Sequence, residues 1–401
     1  MGRIALIFCG AAFAAAALAA TGADAEPVQV MPAQVMSVRI AVLSQTEDRP
    51  PALSNLEDPP ADDGILGARL AIKDNNTTGR FMGQRFELGE RTIGPRGNAI
   101  AAFKQLAGEG YRFIVVNLRP EVLIEIADLA AAKETLIFNA GAPDDDLRNA
   151  RCRANILHTV PSRAMLADAL GQYLVWKRWR KWLLVIGRRA NDRLFANAIE
   201  RAAKRFGAKI VAQKEWKFGA DTRRTAQAEI PVFTQGIDYD VLIVADEIGE
   251  FGEYLIYRTW KPNLVAGTQG LVATSWHRVH EQWGAVQFQN RFLRSFKRRM
   301  RPLDYAMWMA VRSIGEAATR TGSADFKEIA AYLRSEKFSL AGFKGQKLTF
   351  RAWNGQLRQP VLLTAAKALV SVSPQQGFLH RRSLLDTLGY DEPESKCRLG
   401  R

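Results

Sequence analysis

Acidic side chains at the end of a predicted strand are the first candidates for chemistry in this sequence. Asp246 and Glu247 follow YDVLIVA (239–245), an apolar run typical of a buried strand. Sheets built from alternating strands and helices bind ligands at the carboxyl ends of their strands. Carboxylate oxygens suit a hard cation such as calcium or a lanthanide. We therefore predict a metal site at Asp246 and Glu247; for the neighbouring Glu250 and Glu253 the alternative is that they complement a helix dipole.

Sequence patterns typical of catalysis are missing. The chain has no GxGxxG after a strand, and no GxxxxGK, HExxH or GxSxG. His277, His280 and Glu281 have a metal-like spacing, but a polar helix start beside two tryptophans explains them equally well. We predict that the protein is not an enzyme and has no resident cofactor.

Two basic runs allow more than one interpretation. WKRWRKW (176–182) interleaves rings with cations, as proteins that bind single-stranded nucleic acid do. Its alternative is a loop between a helix and a buried strand, with the rings packed and the cations in water. RFLRSFKRRMR (291–301) predicts a surface helix, and docking to an acidic partner or an anionic membrane surface is its functional alternative.

The first residues predict export. Residues 4–20 form an uninterrupted apolar run, and Ala23-Asp24-Ala25 has the small-x-small form of a cleavage site. We interpret residues 1–25 as a cleaved signal peptide rather than a membrane anchor, and predict a soluble periplasmic protein. The net charge of +15 survives cleavage, which removes only Arg3 and Asp24. In that compartment the charge favours an anionic ligand or an acidic partner over nucleic acid.

Two cysteines stay in the chain after cleavage. Cys9 lies within the apolar segment, which leaves Cys152 and Cys397. An oxidising compartment permits a disulfide between them, and the alternative is two free thiols.

Strand and helix patterns alternate along most of the chain. They run from VRIAVL (38–43) to TLIFNAG (135–141), and restart after a linker at ANILHTVP (154–161). Two helices near 282–299 and 303–320 follow, and then short strands between about 345 and 372. We predict an α/β protein with two doubly wound parallel sheets.

Several stretches, taken in order, resemble a known family. VRIAVL, GARLAIKDNN (67–76), GQRF (83–86), the duplicated α/β lobe and the late return to the first lobe look like type I periplasmic solute-binding proteins of ABC transporters, with the branched-chain amino-acid binders as the nearest large group. Residues 239–278 and FKGQKLTFRAWNGQLRQPVLL (343–363) resemble the subgroup associated with dehydrogenase systems that oxidise alcohols and depend on pyrroloquinoline quinone (PQQ).

The resemblance implies a domain organisation and partners. Lobe one would comprise 37–156 with 281–335 and lobe two 157–280 with 336–372, joined by a three-crossover hinge and followed by a tail, 373–401. A monomer would capture a small ligand between the lobes and present it to an ABC-transporter permease. The alternatives are an accessory protein that docks to a periplasmic quinoprotein dehydrogenase, and an uptake protein for calcium or a lanthanide.

The resemblance also implies a set of cleft residues. They are Gln45, Thr46, Asn117, Arg119, Asn139, Arg188, Asp192, Asp246, Glu247, Thr268 and Gln269. Val116 to Pro120 replace the Gly-Pro-x-Ser-Ser-like loop of amino-acid binders, and Gln269 stands near a position that is often acidic. We therefore do not expect an ordinary α-amino acid. A small organic anion or the quinone cofactor would suit Arg119 and Arg188.

Overall fold

The computed structural model describes residues 35–48, 60–217 and 222–399. The predicted signal peptide, residues 1–25, lies outside these ranges. No helix within them is long and apolar enough to cross a bilayer.

The first sheet has five parallel strands in the order β2-β1-β3-β4-β5. Its strands are β1 (Met36–Gln45), β2 (Gln84–Ile93), β3 (Phe113–Asn117), β4 (Leu136–Asn139) and β5 (Ile156–His158), connected through the helices α1 (Ile65–Gly79), α2 (Ala99–Gly108) and α3 (Pro120–Ala127). Residues 40–45 of β1 are all buried. Such continuous burial is expected of a parallel strand that is covered by helices on both faces.

The second sheet repeats this order. Its strands β7-β6-β8-β9-β10 are parallel. The elements are α4 (Arg163–Trp176), β6 (Lys181–Ile186), α5 (Ala190–Phe206), β7 (Lys209–Glu215), α6 (Thr222–Thr234), β8 (Val241–Ala245), α7 (Gly252–Leu255), β9 (Leu264–Gly267) and β10 (Leu271–Thr274). The five parallel strands of each sheet follow the same spatial order, so the α/β unit is duplicated in the structure as predicted.

The rest of the chain returns to both sheets. Its elements are α8 (Ala285–Phe296), α9 (Pro302–Thr321), α10 (Phe326–Arg334), β11 (Leu340–Ala341), β12 (Lys347–Leu348), β13 (Val361–Ala365) and β14 (Ala368–Ser373). The three helices contribute to the core under the first sheet. β13 pairs antiparallel with β10, and β14 pairs antiparallel with β13, so the second sheet has seven strands. The α/β prediction with parallel sheets is confirmed, with this antiparallel edge added; the lobe boundaries stay a prediction.

Close contact between α1 and α9 attaches the late helices to the first sheet. A Cβ atom at Gly67 would lie 1.8 Å from the carbonyl oxygen of Asp304, so only glycine allows the two backbones to approach this closely. Asn75 Nδ2 donates to the carbonyl oxygen of Val311 at 3.1 Å. The helix that follows the first strand therefore positions a segment more than two hundred residues away in the chain.

Two crossings between the sheets lie side by side. His158, at the end of β5, donates its backbone N–H to Gly355 O at 2.9 Å and accepts from Leu357 N at 2.8 Å. The buried Gln356 side chain donates to the carbonyl oxygen of Val160 at 3.1 Å and accepts from Arg148 Nε at 2.8 Å. Paired backbones make this joint stiffer than two independent linkers would be.

The C-terminal tail contacts residues on both sides of the first sheet crossing, Arg148 before it and Asp168 after it. Gly389 N donates to the buried carboxylate of Asp168 at 2.8 Å, and Ser395 Oγ donates to the carbonyl oxygen of Arg148 at 3.2 Å. Cys397 and Cys152 form a disulfide with a Cα–Cα distance of 5.9 Å. The bond closes a loop with a sequence separation of 245 residues.

Removing this disulfide should destabilise the protein. Cys397→Ser is expected to lower the free energy of unfolding by about 2–4 kcal/mol, because the unfolded chain regains the conformational entropy of a long loop. Urea unfolding of the purified protein measures the loss. The double variant Cys152→Ser with Cys397→Ser should show the same loss, and reductant should affect only the unsubstituted protein. An unchanged midpoint in Cys397→Ser would contradict the prediction.

Candidate functional site

A small cavity lies at the point where the strand order of the first sheet reverses, between β1 and β3. β1 lies between β2 and β3 in the sheet. The helix that follows β1 (α1) and the helix that follows β3 (α3) pack on opposite faces of the sheet, so the carboxyl ends of β1 and β3 diverge. The cavity has a volume of about 190 Å³ and is lined by Gln45, Thr46, Glu47, Asp48, Pro95, Asn117, Leu118 and Arg119. Four of the predicted cleft residues thus come together here: Gln45, Thr46, Asn117 and Arg119.

Gln45 presents a hydrogen-bond acceptor at this cavity. Its Nε2 donates to the carbonyl oxygens of Pro95 and Gly97, both at 3.1 Å. These two bonds hold the amide, and its Oε1 is buried without a protein partner among the described residues. Since a buried acceptor without a donor is costly, the amide is suited to a ligand N–H or O–H.

Arg119 gives the cavity a cation. It is exposed and is the N-cap of α3, with Pro120 as the first helical residue. No carboxylate in the described ranges forms an ion pair with it. The free N–H groups of the first turn of α3 add partial positive charge at this end. Glu47 and Asp48 line the same cavity, so the rim carries both signs.

Asn139 has a structural role rather than the predicted ligand contact. It is completely buried; its Nδ2 donates to Ala142 O at 2.8 Å and lies 3.0 Å from His158 Nδ1. Its Oδ1 accepts from the backbone N–H groups of Gly141 and Ala142. The side chain thereby shapes the loop after β4, beside Asn117, whose Oδ1 would lie 1.9 Å from a Cβ atom at Gly141.

The carboxylates of Asp246 and Glu247 are already bound within the protein, which argues against the predicted metal site. Asp246 is buried and accepts the backbone N–H groups of Gly249, Glu250, Phe251 and Gly252 at 2.7–3.1 Å. Within the described ranges no group of three or more His, Cys, Asp or Glu side chains could hold a metal ion. At this strand end Asp246 therefore folds the loop after β8.

Glu247 belongs to a buried joint centred on Arg163. Arg163 Nε and Nη2 each donate to a carboxylate oxygen of Glu247 at 2.7 Å, and Nη1 lies 2.8 Å from Asp144 Oδ1. Only 3% of the Arg163 side chain is exposed. Burial alone lowers the pKa of Arg163, but the hydrogen bonds and charges of Glu247 and Asp144 outweigh it and raise that pKa.

This joint connects the ends of two strands in different sheets. Asp144 follows β4, Glu247 follows β8, and Arg163 is the first residue of α4. The backbone N–H groups of Arg163 and Ala164 donate to Pro143 O and Asp145 Oδ1 at 2.9 and 3.0 Å. The N-terminus of α4 is therefore capped by the loop after β4. Neither Arg163 nor Asp144 is among the predicted cleft residues. The sequence signal for the start of α4 is Ser162, the N-cap residue, whose Oγ accepts from Met165 N.

The other predicted residues of the second sheet form a hydrogen-bonded framework. Asp192 accepts from the backbone N–H groups of Arg189 and Glu247, at 3.1 and 2.9 Å. Thr268 Oγ1 accepts from Asp246 N at 3.0 Å, and Gln269 Nε2 donates to Asp246 O at 3.1 Å. Asp192 and Gln269 are buried. These contacts order the loops at the carboxyl ends of β6, β8 and β9.

Arg188 differs from this framework because it is exposed. Its guanidinium donates to the carbonyl oxygens of Trp216 and Lys217, at 3.1 and 2.5 Å. Carbonyl oxygens do not neutralise its charge. Arg188 therefore presents a positive group at the carboxyl end of β6, the position that corresponds to β1 in the first sheet.

A second cavity lies between residues of both halves of the chain. Its volume is about 460 Å³, and Pro120, Asp145, Asn149, Leu194 and Tyr390 are among the residues that line it. Pro120 follows Arg119, which lines the first cavity. The N-terminus of α3 therefore separates the two spaces.

Loss of Arg163 should unfold the joint. Arg163→Met leaves the carboxylates of Asp144 and Glu247 without their cation, and we expect a loss of about 3–5 kcal/mol in unfolding free energy. Arg153→Met is the matched control, because Arg153 and Asp128 form an exposed pair, for which a loss below about 1 kcal/mol is expected. Calorimetric or urea unfolding measures both. Adding Glu247→Gln to Arg163→Met should restore part of the loss; equal losses at Arg163 and Arg153 would refute this account.

Buried His158 should make the protein less stable in mild acid. Burial, and then the charge of Arg148, lower the pKa of His158 well below its usual value. As pH falls below about 6.5, the unfolded chain binds a proton that the folded chain does not, so the free energy of unfolding decreases. His158→Gln should reduce this slope, by up to about 1.4 kcal/mol per pH unit, between pH ~5 and ~6.5. The slope is measured by urea unfolding at several pH values, and an identical slope in His158→Gln would contradict it.

Comparisons with known proteins agree with this architecture. Residues 59–228 match the periplasmic binding protein family. No curated protein matches the chain significantly. The fold is similar to a branched-chain amino acid ABC transporter periplasmic ligand-binding protein from Burkholderia xenovorans LB400, with 17% identity and a TM-score of 0.70, covering 91% of this chain and 100% of that one.

Two further solved structures show the same likeness. A periplasmic binding protein from Burkholderia mallei has 17% identity and a TM-score of 0.65, covering 91% of this chain and 99% of that one. A solute-binding protein of an ABC transporter from Rhodopseudomonas palustris BisB5, in complex with 3,4-dihydroxybenzoic acid, has 12% identity and a TM-score of 0.58, covering 82% and 93%. This chain therefore has the type I periplasmic binding protein fold that these ligand-binding proteins of ABC transporters share.

Proposed function

We propose that this protein is the periplasmic solute-binding component of an ABC transporter and that it delivers a small organic anion to the permease. The observation that carries the proposal is the cavity at the carboxyl ends of β1 and β3, with Arg119 and Gln45 at its wall. Arg119 supplies a cation that forms no ion pair within the described residues, beside Glu47 and Asp48 on the same rim. Gln45 supplies a buried acceptor for a hydroxyl group of the acid.

The size of the cavity favours a small ligand. At about 190 Å³ it is smaller than the roughly 300–1,000 Å³ of typical ligand pockets. The resemblance of 239–278 and 343–363 to the PQQ-associated subgroup directs attention to the carboxylic acids that alcohol oxidation produces, and to the quinone cofactor itself. Of these, the small acids fit a cavity of about 190 Å³ better than the quinone cofactor does.

Closure of the second half onto the ligand is part of the proposal. Arg188 is exposed at the carboxyl end of β6 and its charge is not neutralised by the carbonyl oxygens it contacts. A ligand bound at Arg119 would receive a second cation if the two halves approached each other, as in hinge-closing binding proteins.

The alternative of a docking protein that uses residues 291–301 is less well supported. Arg291 pairs with Asp74, Arg298 with Asp62 and Asp304, and Arg301 with Asp63. Half of the cations in this run are therefore engaged within the chain.

Binding measurements test the proposed ligand class. Isothermal titration calorimetry of the mature protein with short-chain carboxylates, hydroxybenzoates and PQQ should show heat for at least one small acid, and none for calcium or lanthanum chloride. Arg119→Ala should weaken that binding about ten- to hundredfold, because a charged hydrogen bond is worth roughly 1.5–3 kcal/mol. Lys104→Ala, an exposed cation on α2, is the control of equal charge.

Two results would overturn the proposal. The first is the absence of binding by any of these anions to protein that is shown to be folded by its thermal transition. The second is equal affinity of Arg119→Ala and Lys104→Ala for the bound acid, because the cavity at Arg119 would then not be the site.

A further inference from the structure

The amino ends of the strands in the second sheet form an unusual surface. Because β6, β7, β8 and β9 are parallel, the loops that lead into them lie at one edge, opposite the carboxyl ends that hold the candidate ligand residues. These loops are residues 177–180, 207–208, 235–240 and 256–263. We call this edge, with the flanking Trp176, Lys181 and Lys209, the aromatic–basic edge.

Hydrogen bonds show that the separate loops are neighbours. Lys181 Nζ lies 2.6 Å from Asp238 Oδ2, and Lys261 Nζ lies 3.3 Å from Asp238 Oδ1. Asp240 Oδ2 accepts the backbone N–H groups of Arg180 and Lys181, both at 2.8 Å. The basic run after α4 therefore lies beside the loop between α7 and β9, although eighty residues separate Lys181 from Lys261.

Large aromatic rings stand exposed on this edge. Tyr257 is 99% exposed, and its backbone is left-handed, with a φ of 66°. Trp260 is 55% exposed and Trp176 is 51% exposed. Singly exposed rings are ordinary on a protein surface, but several on one edge are typical of a contact surface.

The charge of the edge is strongly positive. Its cations are Lys177, Arg178, Arg180, Lys181, Lys209, Arg258 and Lys261, and its acids are Asp238 and Asp240. Asp238 is paired with two lysines, and Asp240 accepts backbone N–H groups. Most of the positive charge is therefore available to an external anion.

The single-stranded nucleic acid interpretation of WKRWRKW does not fit this arrangement. Trp182 is completely buried and donates its Nε1–H to Trp179 O at 2.8 Å, and Trp179 packs against the core of the second sheet. Only Trp176 of the three rings is exposed, with Lys177 Nζ 4.6 Å from its centroid. A row of stacking platforms for successive bases is absent from this run.

We propose that the aromatic–basic edge docks the protein on an anionic phospholipid surface. Tyrosine and tryptophan rings favour the boundary between headgroups and acyl chains, and lysine and arginine are attracted to anionic headgroups. A folded protein partner would require complementary packing around the rings, whereas Tyr257 stands free of neighbours and suits a fluid interface. Within the second sheet, Arg188 and the other candidate ligand residues lie at the carboxyl ends of the parallel strands, opposite the docked edge.

Vesicle binding tests this proposal on the mature protein. Co-sedimentation should show binding to vesicles of phosphatidylglycerol and phosphatidylethanolamine, and none to phosphatidylcholine vesicles. Lys177→Glu with Arg180→Glu should weaken the partition at least about tenfold, since each basic residue near an anionic surface contributes about 1 kcal/mol. Tyr257→Ser with Trp260→Ser should weaken it further at ionic strengths near 1 M, where charges are screened.

The matched control has the same change in net charge at another place. Arg294→Glu with Arg299→Glu alters two exposed cations of the 291–301 run, and this variant should bind vesicles as the unsubstituted protein does. Equal weakening in both charge variants would show that net charge alone acts, which overturns the proposal. Absence of vesicle binding by the unsubstituted protein overturns it as well, and capture of an acidic protein through this edge in that case would assign it to a protein partner.

Discussion

Burial of the Arg163 guanidinium between Asp144 and Glu247 is the interaction on which the relation between the two sheets depends. A buried charge is tolerated only where opposite charges and hydrogen bonds compensate the lost hydration, and Arg163 has both. The cation thereby fixes the loop after β4 against the loop after β8. The same cation binds the carboxylate of Glu247, one of the two predicted metal ligands.

The two sheets have the same strand order but use their polar strand ends differently. At the first sheet, Gln45 and Arg119 have groups that no described protein atom neutralises, and a cavity lies beside them. At the second sheet, the side chains of Asp192, Asp246 and Gln269 form hydrogen bonds with backbone groups of the neighbouring loops. The first sheet therefore has a cavity at its strand ends. The polar strand ends of the second sheet are hydrogen-bonded within the protein, and Arg188 is exposed beside them.

Arginine serves two different purposes in this strongly basic chain. Arg148 is buried, its pKa lowered to about 10 by loss of hydration, and it donates to Gln356 and to backbone carbonyl oxygens at the crossing between the sheets. Arg351 is likewise buried and holds Asp386 and the carbonyl oxygen of Leu388 in the tail. The cations of the aromatic–basic edge are outside this framework. Some of the arginines that contribute to the net charge of +15 are therefore buried, so this number does not measure the positive charge at the surface.

The parallel α/β architecture follows from the amino-acid pattern alone, because VRIAVL and KWLLVIG are apolar runs typical of strands that are covered on both faces. The family resemblance pointed to Gln45, Thr46, Asn117 and Arg119, which line one cavity in the structure; their role in ligand binding stays a prediction. Which polar groups are available to a ligand depends on the folded structure. Asp246 and Asn139 are polar residues at strand ends, as site residues often are, yet Asp246 accepts backbone N–H groups and Asn139 contacts His158 and Ala142 N. Pairing of Arg163 with Asp144 and Glu247, and of Lys181 with Asp238, joins residues far apart in the chain. Local pattern carries no information on such partners, because desolvation and hydrogen bonding are settled by the atoms that folding brings into contact.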